Sequence, residues 1–164
     1  MGTTLRVRRP VAVIVALGLA LVIAAPTVAA GPTALHIVSP MHFNQDTFNT
    51  GTFEASGAAV DDGILCASGT VVDTGIILAG GQSGRKIQIP VRKTFTCDDG
   101  SGSFFVKIQV HLDLSTFTER FSWVIQGGTD AYASLRGSGS GTTIPDGSDP
   151  QTGNINTYDG SVID

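Results

Sequence analysis

The sequence predicts an all-β domain: a small antiparallel β-barrel of eight strands held by one disulfide. Three observations carry this. Phe104, Val106, Ile108, Val110, Leu112 and Leu114 are apolar while Lys107, Gln109, His111 and Asp113 alternate with them, which gives a strand one buried and one wet face. Glycine accounts for 21 of 164 residues without any Gly-X-Y period, which excludes collagen and favours a turn-rich β chain. Within 31–164 no window places apolar residues at i, i+3, i+4 and i+7 over three turns, so no long helix is expected there.

Taken in order, residues 1–30 stand apart. Arg6, Arg8 and Arg9 precede an apolar run over 11–25, and small residues ending Val28-Ala29-Ala30 follow. This is the pattern of a secretory signal peptide cut between Ala30 and Gly31, leaving 31–164 as one domain. The run is shorter than the roughly 20 apolar residues of a membrane span. The expected product is secreted, with no membrane association after cleavage. Arg8-Arg9 invites a twin-arginine reading, but Pro10-Val11-Ala12 matches that signal poorly, and the export route stays open.

His36 and His42 fall on an N-terminal strand and the loop after it. Strand-like runs follow at 50–56, 64–73 and 75–78. Ile87, Ile89, Val91, Phe95 and Cys97 then alternate with Lys86, Gln88, Arg92, Thr94 and Thr96, and Asp98-Asp99-Gly100-Ser101-Gly102 turns the chain into the Phe104 strand. The two make an antiparallel hairpin. Further runs at 118–126, 137–144 and 154–162 bring the count to about eight, with a short helical turn at 130–135 and a long hairpin loop at 146–153. Eight amphipathic strands can close into a barrel and abolish exposed edges; a sandwich is the alternative.

Charge and cysteine content narrow the function. The net charge of −4 becomes −7 once the signal removes three arginines and no acids, which argues against nucleic acid and anionic lipid as partners. Cys66 and Cys97 are the only cysteines, and in an exported chain they read as one structural disulfide closing a 31-residue loop. A redox pair would favour Cys-x-x-Cys spacing in a βαβ setting, which is absent.

The stretch from Trp123 to Gly141, WVIQGGTDAYASLRGSGSG, is the most distinctive in the chain. It resembles the signature of the allene oxide cyclase and dirigent barrel superfamily and of its bacterial secreted relatives, in Gly127, Gly128, Thr129, Tyr132, Arg136, Gly137 and Gly139. Asp130 stands where that pattern more often has Gly, and Asp tolerates the left-handed region the turn needs. The resemblance implies a small barrel with an apolar interior, sometimes trimeric. Its enzymatic members isomerise a lipid epoxide or steer phenoxy-radical coupling, but their catalytic residues lie outside the matched stretch and no such role is carried over.

The residues themselves offer little chemistry. Gly137-Ser-Gly-Ser-Gly141 is not a nucleophile elbow, because its centre is Gly139, and no phosphate-binding glycine loop opens a helix. His36, His42 and His111 are too scattered for zinc, and His111 reads as a solvated imidazole rather than a general base. The runs at 61–63, 98–100 and 146–149 read as Asp-Gly turns rather than calcium loops. Neither metal nor cofactor is expected. Phe95, Phe121, Trp123 and Tyr132 are candidates to line a ligand cavity, although a barrel of this size usually fills its interior with such rings. Arg136 joins them as a candidate whose other role is a clamp on the 130–135 turn, with Asp130 the nearest acid.

Three functions follow: a non-enzymatic secreted module that binds a small apolar ligand or a partner surface, an enzyme of cyclase or dirigent type, and a structural protein with a filled barrel. A homo-oligomer is compatible with each.

Overall fold

The computed structural model describes residues 31–44, 46–76, 86–116, 118–147 and 152–164. The expected signal peptide lies outside these residues. Eight strands form one closed barrel in which each pairs antiparallel with the next and the last returns to the first. They are β1 Thr33–His42, β2 Thr50–Ser56, β3 Ser68–Ile76, β4 Lys86–Cys97, β5 Ser103–Asp113, β6 Thr118–Gly128, β7 Arg136–Pro145 and β8 Gly153–Ile163.

Period-two patterning sets which side chains enter the barrel. On β5, Phe104, Val106, Ile108 and Val110 are buried while Phe105, Lys107 and His111 are exposed. Bulky and absent side chains then match across β6 and β7. Phe121 pairs with Gly141, Trp123 with Gly139 and Ile125 with Gly137. A methyl group on Gly139 would sit 2.7 Å from Trp123 Cζ2, and one on Gly160 of β8 would sit 2.6 Å from the same atom. The alternation Gly-Ser-Gly-Ser-Gly over 137–141 is therefore the space that admits the indole, with Ser138 and Ser140 turned outward.

Several boundaries differ from those expected. The run at 64–73 enters its strand only at Ser68, because the chain first winds through a short helix α1, Ala58–Asp61, whose Ala59 carbonyl accepts from the amides of both Ile64 and Leu65. Four residues are too few for a helical period to register in sequence. The run at 75–78 is no separate strand: Gly75 and Ile76 continue β3 past a bulge after Asp73, and 77–78 lie outside the described residues. The N-terminal strand expected at His36 is β1 and completes the eight, and His42 ends that strand rather than beginning a loop. The helical turn at 130–135 contracts to a 3-10 turn over Asp130–Tyr132, with Asp130 in the left-handed region at φ 51°.

The two ends of the barrel differ. At one end, α1, Leu65, Leu135 and the bond between Cys66 and Cys97 close the interior; Ala59 and Leu135 are wholly buried. Tyr132 fastens this cap, its hydroxyl accepting from the Cys66 amide at 3.1 Å and lying 2.7 Å from Ser101 Oγ. The other end is ringed by the ends of β1, β3, β5 and β7 and the starts of β2, β4, β6 and β8.

Candidate functional site

Polar side chains enter the interior in the half away from the disulfide. β3 and β4 place Asp73 opposite Lys93, both inward and nearly inaccessible, and Lys93 Nζ donates to Asp73 Oδ1 at 2.6 Å. The second carboxylate oxygen accepts from Asn49 Nδ2 at 2.9 Å, and the Asp73 amide donates to the Asn49 carbonyl. A buried charge survives only when paired and hydrogen-bonded in this way. On β8, Asn156 accepts from Thr143 Oγ1 at 2.9 Å and donates to Asn154 Oδ1 at 3.0 Å, and on β1 Ser39 Oγ donates to the Thr52 carbonyl.

Tyr158 breaks that pattern. Its ring sits at the centre of the barrel, edge-on to Phe95, Phe121 and Trp123 at centroid distances of 5.8, 4.9 and 6.3 Å. Its hydroxyl is buried yet has no hydrogen-bond partner among the described residues. Burial raises the phenol's pKa far above its ordinary value, and the negative charges of Asp73 and Glu119 raise it further. The group is thus a neutral hydroxyl able to donate one hydrogen bond and accept others.

At the rim of this end lies a cleft of about 390 Å³ whose lining includes Leu112, Glu119, Thr143, Asn154, Phe43 and Ile144. Phe43 and Ile144 are exposed, as are Phe48 and Leu114 near the same end. The rim is therefore apolar and the wall mixed, while Tyr158, Asp73 and Lys93 are buried in the interior and do not line the cleft.

The residues singled out from sequence are distributed otherwise. Phe95, Phe121 and Trp123 come together as packed rings around Tyr158, and Trp123 Nε1 donates to the Ser140 carbonyl at 3.0 Å. Tyr132 belongs to the cap at the disulfide end. Arg136 is exposed and does not reach Asp130 through any hydrogen bond or ion pair among the described residues; its Nη1 donates to the carbonyls of Ser134 and Leu135 at 3.0 and 2.8 Å, clamping the turn. His36 lies outside, 2.7 Å from Asp159, and His111 is on the outer wall. Among the described residues no three His, Cys, Asp or Glu side chains converge as metal ligands would.

Asp73, Lys93 and Tyr158 were not singled out from sequence. A signal existed for two of them: Lys93 occupies an inward position in the series 87, 89, 91, 93, 95, 97, and Asp73 continues 69 and 71. A charge at a core position of a regular alternation calls for a partner.

No family model matches the chain, and neither a curated protein nor a solved structure matches it.

Proposed function

We propose that the protein is a secreted binding module that takes a small, largely apolar ligand at the barrel end opposite the disulfide. One observation carries this reading: the Tyr158 hydroxyl is buried in the barrel interior without a partner among the described residues, and the barrel end away from the disulfide carries a cleft with an apolar rim. An unpaired buried hydroxyl costs roughly 1–3 kcal/mol, an expense that a ligand carrying one polar group removes. Few convergent polar groups in an apolar surround are what small-molecule sites generally present. The likeness of 123–141 to the allene oxide cyclase and dirigent barrels supports the same reading, as does the disulfide, which suits an oxidising compartment. The polar outer faces of β4 to β6 are the reverse of a lipid-facing barrel band.

The test is native mass spectrometry of protein recovered from the medium of a secreting host, compared with its Tyr158→Phe variant. An adduct of a few hundred daltons, present on the wild type and depleted on the variant, is the expected result. A bare wild-type protein that also fails to enhance the fluorescence of an apolar dye overturns the reading. It would favour the filled structural barrel, for which the stacked Phe95 and Phe104 rings, 4.9 Å apart, already speak.

A further inference from the structure

The outer wall formed by β4, β5 and β6 gathers basic groups that the barrel's interior and its closure do not use. Lys86, Arg92, Lys107, His111 and Arg120 all stand exposed on it, and the other described lysine and arginine are Lys93, inside, and Arg136, on the turn. Asp113 is the only acid on this face among the described residues, and its carboxyl is engaged by the Ser115 hydroxyl and amide, which hold it below the usual carboxylate range. The remaining described acids lie elsewhere: Asp61, Asp62, Asp98, Asp99, Asp130 and Asp164 at the disulfide end, Asp46 and Asp146 in the loops of the other end, Asp73 inside, Glu119 half-buried on the inward face of β6, and Glu54 and Asp159 on the outer face of β2 and β8. An acidic protein thus carries one segregated cationic wall.

The register sharpens this. Arg92 is directly opposite Lys107, and His111 is directly opposite Arg120. Like charges facing each other across strands, as those of Arg92 and Lys107 do, destabilise a sheet, and none of these four residues makes an ion pair among the described residues. Lys107 and His111 are four positions apart along β5, so the two pairs stand roughly 13 Å apart at about 3.3 Å per residue. Between them the row Pro90, Gln109, Ser122 crosses the three strands, and Gln88 flanks His111. Two clefts of about 330 Å³ each lie along this wall, one including Lys86, Gln88, His111 and Arg120 in its lining, the other Pro90, Arg92, Lys107 and Gln109.

We infer that this wall binds an acidic polysaccharide, with carboxylate or sulfate groups seated at the Arg92–Lys107 and His111–Arg120 pairs and sugar hydroxyls between them on the Gln88, Gln109 and Ser122 side chains. Charge complementarity selects a polyanion, and widely spaced clusters of basic side chains with amides between them suit anionic groups separated by neutral hydroxylated units. An acidic peptide has no edge to pair with, because the barrel is closed.

The test is affinity electrophoresis in gels containing polygalacturonate, dextran sulfate or neutral dextran, with a DNA duplex as competitor, using the secreted protein, its Lys107→Gln/Arg120→Gln variant and a Glu54→Gln control. Expected are retardation by one or both acidic polymers but not by dextran, loss of retardation as salt rises, and at least a tenfold weakening in the double variant with none in the control. Circular dichroism should show both variants folded. Overturning results are no retardation by either acidic polymer, equal retardation of the double variant, or displacement by DNA at the same concentration as by the glycan, which would mark unspecific polyanion contact.

Discussion

Lys93 and Asp73 meet inside the barrel, 2.6 Å apart, each opposite the other in the β3–β4 register. Removing one partner leaves the other charged and buried, which typically destabilises by about 3–5 kcal/mol, whereas replacing both by apolar groups of similar size is near neutral. Urea unfolding of Lys93→Met should therefore show a loss of that order, and Lys93→Met/Asp73→Leu should recover most of it. Equal losses in the two proteins would show that the pair is not an isolated charge couple.

Tyr158→Phe removes a hydroxyl without a partner among the described residues and keeps the ring in its aromatic cluster. At pH 7 the variant should be as stable as the wild type or more so, by up to about 1–2 kcal/mol. The pH dependence follows from the same group. Its folded-state pKa is raised, so the contribution to stability is intact below the unfolded value near 10 and falls as pH rises beyond it, where only the unfolded chain ionises. Wild-type stability should drop more steeply than that of the variant above about pH 10 in denaturant titrations.

A methyl group at Gly139 invades the space of Trp123, and the β8 backbone behind it cannot retreat without breaking its pairing with β7. Gly139→Ala should destabilise by at least about 1–3 kcal/mol, the usual range for overpacking. Thermal melts of Gly139→Ala with and without Trp123→Phe check the cause: the smaller ring should relieve part of the loss, and strict additivity would place the strain elsewhere.

The Cys66–Cys97 bond closes a 31-residue separation, for which chain entropy gives a stabilisation on the order of 3–4 kcal/mol. Cys66→Ala/Cys97→Ala should lose about that much in guanidinium titrations, and Tyr132→Phe, which removes the acceptor of the Cys66 amide, should lose a smaller part. Denatured wild-type protein should weigh about 2 Da less than its reduced form, since each disulfide replaces two thiol hydrogens.

Strand alternation and disulfide were legible because period-two patterning over 86–114 fixes one buried face and only two cysteines exist to pair, while the choice of barrel over sandwich rests on the count of eight strands able to close on themselves. α1 was not legible, since four residues held by backbone bonds to Ala59 leave no periodic trace. The interior site was hidden for a different reason. Tyr158 reads as one more aromatic on an alternating strand, and only closure of β8 onto β1 and β7 reveals that its hydroxyl is stranded. The cationic wall required the register as well: Arg92 and Lys107 are distant in sequence and adjacent only once the hairpin pairs.

The pairing of β1 with β8 also sets a clock. His36 and Asp159 touch across that seam although 123 residues separate them, so the contact that completes the ring joins the first strand to the last. Hairpins such as β4–β5 can form from neighbouring sequence, but no cylinder exists until the final strand arrives, and such non-local pairings fold on the millisecond-to-second scale. Refolding should accordingly have its slowest conformational phase in the docking of β8, with seam substitutions altering the folding rate more than substitutions in the β4–β5 turn.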